Sequence, residues 1–87
     1  MGSVITYDVS DRQSEVKTAM LGLGYNDHWV YEGAVYNLPN TTLWHQAVSR
    51  QDALQHLLGV AAVLQVTVER AVVLDSLPWT GIRGQTR

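Results

Sequence analysis

A strand that runs without a linker into a helix start is the feature that most constrains this chain. Val4-Ile5-Thr6-Tyr7, with Val9, is rich in β-branched residues and reads as a buried strand. Ser10 follows at once, three residues before Gln13, the spacing of a capping box. Val16, Ala19, Met20 and Leu23 then recur at helical spacing on one face, so a helix is predicted from Asp11 to Leu23. Gly22 and Gly24 offer the left-handed exit that ends many helices.

The remainder alternates in the same way. His28 to Leu38 reads as one long strand with Gly33 as a bulge or bend. Leu38-Pro39-Asn40-Thr41 is a turn signal, and Thr41 to His45 is the returning strand of an antiparallel hairpin. Ser49 caps a second helix, with Asp52 in its first turn, where the helix dipole favours negative charge. Leu54, Leu57, Leu58, Ala61 and Leu64 form its apolar stripe. Val66 to Leu74 is the last strand, ended by Asp75-Ser76-Leu77-Pro78. The order predicts an α+β fold, ferredoxin-like βαββαβ, with a four-stranded antiparallel sheet and two helices on one face. Residues 1–78 are expected to form this single domain and residues 79–87 a C-terminal tail.

Bulk properties narrow the function. A chain of 87 residues supports one thin core. Hydrophobic residues at 46% with 16% charged exclude a disordered chain. No apolar run reaches the ~18 residues of a membrane span, and no basic stretch leads into a long apolar one as in a signal peptide. Cysteine is absent, which removes disulfides, thiolate ligands and a cysteine nucleophile. A cytoplasmic location is the expectation. The net charge of −2 disfavours non-specific nucleic-acid binding, which relies on basic side chains. Trp29, Tyr31, Tyr36 and Trp44 are many rings for a solvated hairpin. They point to a homodimer packed through the sheet, or else alternate into the monomer's own core.

The candidate chemistry is sparse. Asp8 stands at the C-terminal end of the first strand beside a helix start. A carboxylate so placed suits a hard cation such as Mg²⁺, and two copies across a dimer axis could hold one ion and activate water against a phosphodiester. Asp11 could second it. On the plainer reading Asp8 closes the strand and Asp11 caps the helix. His28 and His45 lie on the two hairpin strands, but no third ligand stands at a metal-site spacing, and His56 falls in the second helix. Ser10 and Ser49 serve as caps rather than nucleophiles. Gly22-Leu23-Gly24 ends a helix and so forms no phosphate loop. Glu69 and Arg70 should face opposite ways in the last strand. Arg70 would then contact a phosphate, or pair with Glu32 or Asp27 at little gain. In the tail, Trp79 and Ile82 suit docking on a partner, whereas Trp79 with Arg83 and Arg87 suits single-stranded nucleic acid.

Tyr7-Asp8-Val9, Leu21-Gly22-Leu23-Gly24 and Val30-Tyr31-Glu32-Gly33 together resemble the small CRISPR-associated adaptation protein family, over about two-thirds of the chain. That resemblance implies a ferredoxin-like, nuclease-type scaffold. It also implies Asp8 as the metal-binding catalytic carboxylate of a symmetric dimer, and a C-terminal segment that extends the partner's sheet. Basic residues follow the aspartate in that family. Here Arg12 and Lys17 stand in that place, and with Arg83 they are the candidate nucleic-acid contacts. The chain departs from the family in its acidic balance and in Leu38-Pro39-Asn40-Thr41-Thr42-Leu43-Trp44. Two functions are therefore expected of the scaffold: a non-catalytic homodimeric interaction or regulatory module, or a metal-dependent endonuclease-like phosphodiesterase using Asp8.

Overall fold

The computed structural model describes residues 2–39 and 41–75. Its elements are β1 (Ser3–Val9), α1 (Gln13–Gly22), β2 (His28–Tyr31), β3 (Ala34–Asn37), β4 (Thr42–His45), α2 (Arg50–Leu64) and β5 (Val68–Asp75). The chain is thus a small α+β fold with helices and antiparallel sheets. The strands divide into a three-stranded sheet in the order β4-β1-β5 and a separate β2-β3 hairpin. Among the described residues the expected continuous four-stranded sheet is not formed.

The reason lies at Glu32-Gly33. Both residues have positive φ, 50° and 78°, as the two central positions of a type I′ hairpin turn require. The stretch read as one long strand therefore folds back on itself, pairing His28 with Asn37 and Tyr31 with Ala34. Gly33 is a turn residue rather than a bulge. β4 lies against β1, with Val4 opposite Trp44 and Ile5 opposite Leu43. In the next position of the sheet one residue pairs with β4: Asn26 exchanges backbone hydrogen bonds of 2.7 and 2.9 Å with Trp44.

β1 alternates strictly. Ser3, Ile5, Tyr7 and Val9 are buried, while Val4, Thr6 and Asp8 face the other way. The buried side meets Val16 and Met20 of α1 and Ala53 and Leu57 of α2, with Leu43 and Tyr25 completing the core. Both helices therefore cover one face. Of the residues expected in the helix stripes, Leu23 and Leu58 are instead 45% and 42% exposed.

The helix starts differ from each other. Ser49 caps α2 as expected, its Oγ accepting from the Asp52 N–H at 3.2 Å. α1 begins at Gln13 after Arg12, a left-handed residue (φ 56°), and has no side-chain cap. Ser10 is drawn away to β5: its Oγ accepts from the Thr67 N–H at 3.0 Å and its own N–H donates to the Thr67 carbonyl at 2.9 Å. Among the described residues no helix is long and apolar enough to cross a membrane.

Candidate functional site: the open sheet face and the Asp8–Arg70 pair

The face of the three-stranded sheet turned away from the helices is built in cross-strand rows. Trp44, Val4 and Leu74 form one row, and Thr42, Thr6 and Val72 the next. Asp8 and Arg70 close its end. Such rows are the contacts through which a sheet surface packs. Val72 is 54% and Leu74 59% exposed. The threonines of the middle row join through a 3.2 Å hydroxyl contact from Thr42 to Thr6.

Asp8 does stand near the end of its strand, but it is engaged. Its Oδ2 accepts from Arg70 Nε at 2.9 Å and lies 2.8 Å from Arg70 Nη2. The expected partners of Arg70, Glu32 and Asp27, are not the ones it meets. The register explains this, because Arg70 stands directly opposite Asp8 on the face that also carries Val72 and Leu74. Asp8 pairs with Arg70 and Val9 with Val68, so Glu69 is the extra residue of a bulge. Glu69 and Arg70 are both exposed.

Mg²⁺ is a hard cation that takes oxygen ligands in near-octahedral array. The guanidinium occupies one Asp8 oxygen, and Asp11 turns elsewhere, its Oδ1 accepting from the Arg12 N–H at 2.8 Å. Among the described residues no three His, Asp or Glu gather closely enough to hold a metal ion.

The expected nucleic-acid contacts are likewise committed. Arg12 lies 3.5 Å from Glu15 and Lys17 3.3 Å from Asp27. Arg50 meets Asp75 at 3.2 Å. Every lysine and arginine among the described residues thus has an acidic partner. Arg83, Trp79 and the rest of the predicted tail lie outside the described residues. Asp27 is held below its ordinary value first by its hydrogen bond to His28, against the opposing effect of burial, and then by Lys17.

His28 and His45 do not act as a pair. His28 Nδ1 is 3.1 Å from Asp27. His45 Nδ1 accepts from the Ala47 N–H at 3.1 Å, and its ring meets Tyr25 edge-on at 4.9 Å. The Tyr25 hydroxyl lies 2.9 Å from Nδ1 of His56. Burial, then the charge of Asp52, pushes the Tyr25 phenol up to about 12. Nothing in the sequence order signals this His45–Tyr25–His56 cluster, because its members come from three separate segments. The rings expected to suggest an exposed aromatic face partly satisfy one another: Trp29 and Trp44 pack with centroids 4.2 Å apart.

No protein-family model matches the chain, and neither the curated proteins nor the solved structures contain a significant match.

Proposed function

We propose that the chain is a non-catalytic homodimeric interaction module, on a ferredoxin-like scaffold of the CRISPR-adaptation type, that self-associates through its open sheet face. The scaffold reading draws support from the order β4-β1-β5, with both helices on one face and Asn26 at the fourth-strand position. The observation that carries the functional reading is the exposure of Leu74 and Val72 on the face opposite the helix layer, beside Val4 and Trp44. A contiguous apolar surface is costly to leave in water. The Asp8–Arg70 pair at its margin carries both signs of charge, so two copies related by a two-fold axis present complementary ends to each other.

Sedimentation equilibrium tests this reading. The wild-type chain is expected to be a dimer, and Leu74→Lys a folded monomer, since its side chain is already largely in water. A wild-type monomer across the concentration range overturns the assembly. Mg²⁺-dependent cleavage of RNA or DNA that is lost in Asp8→Asn, with the dimer intact, overturns the non-catalytic reading and restores the phosphodiesterase.

A further inference from the structure

The outer side of the helix layer lacks what a solvated helix surface carries. From Ala53 to Leu64, twelve residues, α2 has no Asp, Glu, Lys or Arg. A surface helix ordinarily sets charged residues opposite its buried stripe, and a helix apolar all round is a covered one. Here Ala53, Leu57 and Ala61 face the core, yet Val63 is 82% and Leu58 42% exposed. Between α1 and α2 runs an open groove of about 530 Å³, walled by Ala19, Leu23, Gly59, Val60 and Val63, with Gln55 and His56 its polar groups. Gly59 contributes to the opening, since a Cβ there would meet nothing within 4 Å.

We infer that this groove is the seat of the chain's own C-terminal segment, residues 76–87, with Trp79 as the anchor. Three observations favour that occupant. The first is where the segment starts. Asp75, the last residue of β5, has the same sheet parity as Ser3, on the helix side, and is tied to Arg50 in the first turn of α2 at 3.2 Å. The second is reach. Along α2 the groove begins about 7.5 Å beyond Arg50 at Gln55 and ends about 20 Å beyond it at Val63, at 1.5 Å per residue. Four extended residues past Asp75 bring Trp79 up to about 13 Å away, and all twelve span up to about 40 Å. The third is chemistry. The segment carries Leu77, Trp79 and Ile82 and no acidic residue. An indole has a large apolar body with one N–H to satisfy, and Gln55 supplies an acceptor on an otherwise apolar wall. The sheet face, which the dimer uses, is left free by this arrangement.

The chain has no cysteine, so Thr80→Cys gives one site for a nitroxide label, read by amide intensities in NMR. The expected result is a loss of amide intensity at Ala19, Gly59 and Val63 that returns when the label is reduced. The loss should also vanish on Val63→Asp, a position already in water, and on Trp79→Ser. Intensity loss at Val72 and Leu74 instead, or at no folded residue, overturns the inference. So does loss at the groove that appears when unlabelled spin-tagged chain is mixed with isotope-labelled untagged chain, because the tail then crosses to the partner. Failure of the dimer reading shows in the oligomeric state and leaves this intramolecular readout unaffected.

Discussion

Tyr25 concentrates more physical chemistry than any other residue described. It is 2% exposed, touches His45 edge-on and meets His56 at 2.9 Å. Its phenol, raised to about 12 against an ordinary 10.0, makes a signed prediction. Below pH 10 both folded and unfolded chains hold the proton, and the stabilisation from the neutral phenol is complete. As pH rises from the unfolded value through the folded one, the unfolded chain releases the proton first, and that stabilisation is lost. Alkaline melts of the wild type should therefore fall steeply between pH 10 and 12. Tyr25→Phe should fall less steeply there, and the remaining slope belongs to Tyr7, whose phenol burial also raises. At neutral pH the same variant should cost about 1 kcal/mol, the typical net worth of one intramolecular hydrogen bond. Equal slopes in the two proteins would show that Tyr25 ionises as readily folded as unfolded.

At the scale of elements, two backbone positions carry strain that substitution can read out. Gly24, at φ 96°, ends the first helical segment, and a Cβ there would stand 2.9 Å from His45 Nε2. Gly24→Ala should lower stability by about 1–3 kcal/mol, the range for strained left-handed backbone, measured by urea melts. Glu32, at φ 50°, precedes Gly33 in the tight turn. Asn is the residue that type I′ turns favour at that position, so Glu32→Asn should stabilise by about 0.5–1 kcal/mol, a fraction of the left-handed penalty. A loss of stability would mean that the glutamate side chain has a role of its own. These positions also show what was legible beforehand. The Ser49 cap and the left-handed exit at Gly24 are local signals, and the structure holds both. Ser10 has the same local signal as Ser49, yet its Oγ goes to Thr67, 57 residues away. Gly33 resembles a bulge until the chain is seen to fold back on itself at Glu32-Gly33, pairing Tyr31 with Ala34. Asp8 was readable as a carboxylate at a strand end, but its partner lies 62 residues on, and only the register of β1 against β5 brings the two together.

For the whole molecule the deciding magnitude is area. Three strands about 4.8 Å apart, of seven, four and eight residues at ~3.3 Å per residue, present roughly 300 Å² of projected face. Two such faces give roughly 600 Å², short of the ~1,200–2,000 Å² typical of a stable interface. A tight dimer through the sheet alone is therefore underpowered, and further apolar surface has to enter the contact. The β2-β3 hairpin is the candidate for the proposed dimer: Val30 and Val35 pair across the two strands and are 57% and 45% exposed. The hairpin leaves the main sheet at the Asn26–Trp44 bridge, and Trp29 stacks on Trp44, so its position is fixed relative to the open face. Val30→Lys and Val35→Lys should each weaken dimerisation at least tenfold by sedimentation, a ~1.4 kcal/mol effect, while leaving the monomer's thermal melt nearly unchanged because both side chains already meet water. If these variants dimerise as well as the wild type while Leu74→Lys does not, the interface is the sheet face alone. The small area then predicts a weak, rapidly exchanging dimer, visible as a concentration-dependent average mass rather than a sharp species.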